Sequence, residues 1–244
     1  MSLCASAQTL LVGAEADKKL PLGFSVGAGA EYRTTHWFDD SEQWSVNAEV
    51  GYKPQAAKWF KATIGYKFIQ QKTPGVTIDR FNNFNIHSYW TDRHRLSISV
   101  SGEWKPISQL SLSLRERYQF TRRPEKTVAL FDEDWEPDGD KTVSAKDQHI
   151  MRTRLQAEYK PYKKCPFTPY ASWELYSLLQ EKNLTKNKTQ GGKFNDRWRL
   201  TAGCEWKISK KAGSLDLFYR YTKNADDLEN DEPHTIGLVY NFKF

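Results

Sequence analysis

Arginine and glutamate at every second position are the residues of this chain whose types and spacing could do chemistry. Arg95, Arg115, Arg117, Arg152, Arg154, Arg197, Arg199 and Arg220 fall on the polar parity of their segments, and so do Glu103, Glu158, Glu174, Glu205 and Asp216. Glu31, Arg33 and Glu49 continue the set. A guanidinium presents a planar fork of N–H donors that matches carboxylates and phosphates. Rings of arginine lining a pore favour anions. Arginines facing carboxylates across strands instead tie a sheet together. The interior of a barrel of about eight to twelve strands is mostly filled or tightly lined, which makes an internal charge network the simpler reading.

Other candidate chemistry is sparse. Asp132-Glu-Asp-Trp-Glu-Pro-Asp-Gly-Asp140 is dense in carboxylates, and Asp134, Glu136, Asp138 and Gly139 imitate the opening of a calcium loop. Such a loop closes on a bidentate glutamate, and Ala145 stands there instead, so a solvated acidic loop is expected and no metal site. His87-Ser88 sits in a loop. Adjacency in sequence is not a triad, and there is no phosphate loop, His-Glu-x-x-His or nucleophile elbow. The chain is read as no enzyme and without cofactor, with outer-membrane lipid hydrolysis as the third and weakest functional reading. His36, His94, His149 and His234 fall near the loop-side ends of segments, where a histidine is ordinarily polar boundary.

The elements that must position these charges alternate with period two. Residues 233–244, PHTIGLVYNFKF, put Ile236, Leu238, Tyr240, Phe242 and Phe244 on one side and mostly polar residues on the other, as a strand does. Ten further segments upstream read the same way. Short turns alternate with long polar loops, notably 70–92 and 122–147. Strand ends repeat as Gly51-Tyr-Lys-Pro54, Glu103-Trp-Lys-Pro106, Glu158-Tyr-Lys-Pro161 and Glu205-Trp-Lys-Ile208. An aromatic at the lipid–water boundary followed by a charge in water is how a membrane strand ends. The expectation is an all-β, antiparallel, up-and-down transmembrane barrel of 10–12 strands. Single-chain bacterial barrels carry even counts, so eleven segments imply ten or twelve wall strands. Twelve is favoured, with the extra one inside 70–92. Glu116 breaks the apolar face of its segment, which points to a position near the interface or to a bulge.

Composition agrees with this architecture. The chain has 244 residues, 14% of them aromatic, a net charge of +6 and a mean hydropathy of -0.74. No apolar run is long enough for a spanning helix, and barrels pass that test because only every second residue faces lipid. Both charge signs are mixed along the strands, which excludes a nucleic-acid tract. Ala5-Ser6-Ala7 before Gln8 fits a secretory cleavage site, so residues 1–7 are read as a residual signal-peptide tail and 8–244 as the barrel. Cys165 and Cys204 allow a disulfide without demanding one.

The segments Asp92-Arg-His-Arg-Leu96, His149-Ile-Met-Arg-Thr-Arg-Leu155 and Asn195-Asp-Arg-Trp-Arg-Leu200 share an Arg-x-Arg-Leu opening. With the Glu-aromatic-Lys ends and terminal Phe244, the chain resembles the DUF2490 family of uncharacterised outer-membrane β-barrel proteins, Bacteroidetes type. That resemblance implies a Gram-negative outer membrane, and it carries no activity and no catalytic residue. The terminal aromatic resembles the signal read by barrel-assembly machinery. The partners expected are the bilayer and its outer-membrane lipids, that machinery during biogenesis, and a protein docking on extracellular loops through Trp90, Phe131 and Trp135, because long loops bearing aromatics suit recognition. The competing function is a narrow, Arg/Glu-lined, porin-like channel for small anionic solutes.

Overall fold

The computed structural model describes residues 9–35, 40–80, 82–132, 134–162, 164–209, 213–224 and 233–243. His36, Phe244, the N-terminal tail and the acidic loop 226–232 lie outside them. Eleven strands form the wall: β1 (Thr9–Lys19), β2 (Phe24–Thr35), β3 (Asp40–Tyr52), β4 (Phe60–Thr73), β7 (Tyr89–Ile107), β8 (Leu110–Arg123), β11 (Lys146–Tyr159), β12 (Phe167–Asn183), β14 (Lys193–Ser209), β15 (Gly213–Asn224) and β16 (His234–Lys243). Each pairs with its sequence neighbours in the wall, and β11 pairs with both β8 and β12. Apolar side chains such as Val50, Ile64, Leu96, Ile98, Leu155 and Leu217 are exposed on the outside. Ser45, Ser99, Gln119, Ser172 and Thr201 are buried on the inside. This inversion of a soluble protein is what a sheet solvated by lipid requires.

The wall count corrects the sequence expectation of ten or twelve. Ten antiparallel pairings leave β1 running the same way as β16, and those two strands close the barrel in parallel from Thr9↔Thr235 to Asp17↔Lys243. Parallel ladders are only slightly weaker per residue than antiparallel ones, so an odd wall closes without an unpaired edge. Among the described residues of 70–92 there is no additional wall strand, only the end of β4 and the start of β7. Its two other strands, β5 (Val76–Arg80) and β6 (Asn82–Ile86), form a separate four-stranded sheet with β9 (Lys126–Phe131) and β10 (Pro137–Val143) at the long-loop end. A short β13 (Lys188–Gln190) folds back on the end of β12. The wall is uneven: β1 and β16 have 11 and 10 residues, while β7 has 19 and β12 and β14 have 17 each. A tilted membrane strand needs about 9–11 residues, so β7, β12 and β14 project beyond the span. β7 also runs on past Pro106 to Ile107, with a register shift after Trp104.

Glu116 lies in unbroken register between Val100 and Thr153, so no bulge re-aims it. It stays on the outer face and accepts a hydrogen bond from Thr153 Oγ1 at 2.9 Å.

Two glycines are fixed by geometry. Gly23 closes the β1–β2 turn at φ +87°, and a Cβ there would lie 2.1 Å from the Lys53 carbonyl oxygen. On β16, Gly237 supports the lumenal ring of Phe218, which a Cβ would meet at 2.1 Å. Gly237→Ala therefore overpacks a filled site and should cost about 1–3 kcal/mol. Phe218→Ala in the same chain should recover part of that loss. Urea unfolding of the refolded barrel in detergent, followed by heat-modifiable gel mobility, measures both. An unshifted midpoint for Gly237→Ala would show that the ring moves aside freely.

Candidate functional site

The lumen holds the chain's densest chemistry, in two registered rows. Arg117 on β8, Arg152 on β11, Tyr176 on β12 and Arg197 on β14 face one another across successive strands. The next row toward the turns is Arg115, Arg154, Glu174 and Arg199. Alternation along a strand places both rows on the inner face, and the antiparallel register aligns them. The two rows hold six arginines and one carboxylate. Glu174, only 3% exposed, gathers three of them. Arg152 Nη2 donates to Glu174 Oε1, Arg154 Nε lies 3.4 Å from the same oxygen, and Arg199 Nη1 lies 3.5 Å from Oε2. Tyr176 Oη donates to Glu174 Oε2 at 3.1 Å.

Tyr176 is the aromatic centre of this cluster. Arg152, Arg199 and Arg197 place their guanidiniums 5.0, 5.2 and 5.7 Å from its ring centroid. A desolvated cation over a tyrosine face is favourable by about 2 kcal/mol or more. From the sequence Tyr176 is one more inward tyrosine, and nothing in its neighbours marks it as a hub. Its place follows only from the register that sets β12 between β11 and β14. Arg220 stacks on Phe218 at 4.5 Å, and Arg95 Nε donates to Thr121 at 3.0 Å. On the opposite wall Lys67 Nζ donates to Glu31 at 2.5 Å.

The other lumenal carboxylates sit nearer the short turns. Glu103 pairs with Lys105 at 3.0 Å and accepts from Ser111 at 2.9 Å. Glu158 accepts from Gln156 Nε2 at 2.6 Å, and Gln156 Oε1 in turn accepts from Arg154. Glu205 accepts from Ser214 at 2.5 Å, and Asp216 from Tyr170 Oη at 2.9 Å. Glu174 and Glu31 depart from that segregation, Glu174 lying among the arginines and Glu31 beside Lys67.

A second cluster stands at the long-loop end. Phe131 and Trp135 meet around His87, with ring centroids 4.6 and 4.8 Å from the imidazole and the Trp135 ring stacked on it. His87 thus belongs to an aromatic group. Trp135 holds a left-handed backbone at φ +62° and is 54% exposed. Asp132 Oδ1 accepts the backbone N–H groups of Asp134 and Glu136, each at 2.9 Å, and so builds the bend that presents Trp135. Trp90 lies apart on β7, where its carbonyl accepts a hydrogen bond from Lys126 Nζ.

The outer wall carries a third arrangement that the sequence reading missed. Tyr66, Tyr118 and Tyr219 each hydrogen-bond the Nδ1 of a histidine on the next wall strand, namely His94, His149 and His234. Each histidine also packs against the next outward aromatic, Phe68, Phe120 or Tyr221. Ten residues after His94 and His149 comes an aromatic, Trp104 and Tyr159, each followed by lysine. At about 3.3 Å per residue and a tilt near 40°, ten residues rise about 25 Å, the height of a barrel's apolar band. The pairs therefore mark the loop-side boundary and the aromatic–lysine ends the other. This spacing is visible in the sequence once strand direction is known. Between the boundaries a groove of about 1140 Å³ runs over Ala157, Ala171 and Ala202, flanked by Trp104, Trp173 and Tyr219. It is mostly apolar and lies on the lipid face.

The model of the family described as protein of unknown function, DUF2490, matches residues 10–231, and the chain belongs to that family. A comparison with curated proteins finds no match. Among solved structures, the β domain of the Bordetella autotransporter BrkA is similar with a TM-score of 0.51 and 14% identity, covering 88% of this chain and 78% of that one. A chain of the FpvAI–pyocin S2 complex aligns at 11% identity and a TM-score of 0.39, over 84% of this chain and 34% of that one. The first likeness carries the barrel fold.

Glu174 separates buried from exposed pairing. Removing one partner of a buried charge group costs about 3–5 kcal/mol, whereas exposed pairs contribute about 0–1 kcal/mol. Glu174→Ala should therefore lower the unfolding midpoint far more than Glu103→Ala. Equal small shifts in denaturant titration would show that water, not Glu174, carries the arginine charges.

Proposed function

We propose that this protein is an integral outer-membrane barrel that works as a platform for recognition: its own charges close the lumen, and the sheet at its long-loop end docks a protein partner outside the cell. The observation that carries this reading is Trp135, displayed at φ +62° on a folded four-stranded sheet and backed by His87 and Phe131. A non-glycine residue in that backbone region is costly and persists where the surroundings hold it. Exposed tryptophan is also the residue type most enriched in binding hot spots. Outer-membrane residence is supported by the barrel fold, the outward apolar face and the two boundaries about 25 Å apart.

A second reading, a narrow path for small anions, is favoured by the lumenal excess of arginine over carboxylate in the two central rows. A planar-bilayer recording with a salt gradient tells them apart. For a closed platform the refolded protein is silent, and Arg152→Ala with Arg199→Ala opens discrete conductance steps. For an anion path the unaltered protein gives anion-selective steps that the double substitution weakens.

Docking is tested in native membranes by placing a photoreactive benzophenone side chain at position 135. One discrete protein adduct is expected, absent when the group sits at Lys188 on β13 instead. Adducts of equal yield and identity at both positions, or none at either, would overturn the docking role.

A further inference from the structure

We infer that the lumen at the level of Tyr176 is a binding site for a tetrahedral oxyanion of the phosphate class, either the free anion or the phosphate group of a larger solute. The inference rests on the lumenal charges and on neither reading of function above. It requires neither a docked protein nor conduction.

Arg33, Arg93, Arg117, Arg197 and Arg220 each bury an Nε that has no hydrogen-bond partner among the described residues. None of the five makes an ion pair there. The carboxylate at their level is already committed, since Glu174 serves Arg152, Arg154, Arg199 and Tyr176. Glu31 is held by Lys67 and Asp216 by Tyr170; both lie within electrostatic reach of Arg220, and Glu31 also of Arg33, but neither forms an ion pair with them, which leaves five arginines to two shared carboxylates. A buried guanidinium keeps its charge, because it does not deprotonate in proteins, and an unpaired buried charge is strongly unfavourable. The imbalance calls for a counter-anion.

The approach directions select the kind of anion. The five side chains come from β2, β7, β8, β14 and β15, more than half of the way around the wall. Arg197 stands over Tyr176 beside Arg152 and Arg199, while Arg220 is propped by Phe218. Arg33 lies within electrostatic reach of Arg95, Arg199 and Arg220, and Arg93 within reach of Arg95 and Arg197. Chloride accepts without directional preference, and a carboxylate presents two oxygens in one plane. A phosphate dianion presents oxygens in four directions, so forks arriving from opposite walls can each take a pair, the geometry in which Arg recognises phosphate. The aromatic rings orient the guanidiniums beforehand and lessen the entropy lost on binding.

The test uses the refolded full chain in detergent, titrated with inorganic phosphate at constant ionic strength made up with chloride. Calorimetry and the thermal midpoint are read together. Saturable one-to-one binding is expected, with a midpoint that rises with phosphate. Arg197→Gln with Arg220→Gln should weaken binding about tenfold or more, since a charge-assisted hydrogen bond is worth about 1.5–3 kcal/mol. Lys105→Gln at the turn end should leave it unchanged. If the double variant gives no heat-modifiable barrel, Arg117→Gln on the other wall reads the same loss. Glycerol 3-phosphate that competes assigns the site to the phosphate of a larger solute, and failure to compete assigns it to the free anion. A phosphate titration that matches chloride, or a response equal in all variants, overturns the site.

Discussion

Closure of the sheet is the constraint on which everything else depends. In hydrocarbon a strand edge has no water to bond, so the first and last strands must find each other. Here they do so in parallel, Thr9 beside Thr235, and the wall counts eleven. The consequence reaches the lumen. With β1 in place between β16 and β2, Leu11, Gly13 and Glu15 line the interior beside Arg33 and Glu31. Remove β1 and Arg33, which lies within electrostatic reach of Arg199 and Arg220, stands on an edge strand. The charge network thus depends on a pairing between residues more than two hundred positions apart.

Closure also sets the interior's dielectric problem. A barrel this narrow brings arginines from several strands within reach of one another, and the solution seen is uneven. Near the turns, carboxylates meet lysines and hydroxyls in the open mouth, as Glu103 meets Lys105 and Ser111. At the centre one carboxylate and one phenol ring order four guanidiniums, those of Arg152, Arg154, Arg197 and Arg199, while Arg33, Arg93 and Arg117 have no ion pair among the described residues. Had the aim been only to fill a wall, apolar residues of similar volume would do it at lower cost. Retaining so many unpaired arginines is informative for that reason.

Much of the wall was legible in the sequence, because period-two alternation needs only local reading. Arg152 and Arg154 point inward for the same reason that Leu155 points outward. The aromatic–lysine ends, Trp104-Lys105 and Tyr159-Lys160, announced one boundary. Other features needed register, which local pattern does not contain. Parity was misjudged because a rule for even counts stood in for the β1–β16 pairing, which no alternation signals. Tyr176 reads like any inward tyrosine until β11 and β14 flank it. The Tyr–His pairs join residues on different strands, so Tyr118 and His149 look unrelated along the chain.

The loops illustrate the same limit from the other side. Polar stretches such as 70–92 and 122–147 read as open loops because their short alternations cannot bury a face alone. Together β5, β6, β9 and β10 make four strands, enough to support one another above the barrel. That sheet brings His87 of the first hairpin against Trp135 of the second, while Asp132 holds the bend locally. Position then follows from the wall: β4 and β7 carry the first hairpin, β8 and β11 carry the second, and β7 lies against β8. Strand order in the membrane thereby decides which loops meet outside it, and the surface offered at the mouth is a product of the barrel's register as much as the lumen is.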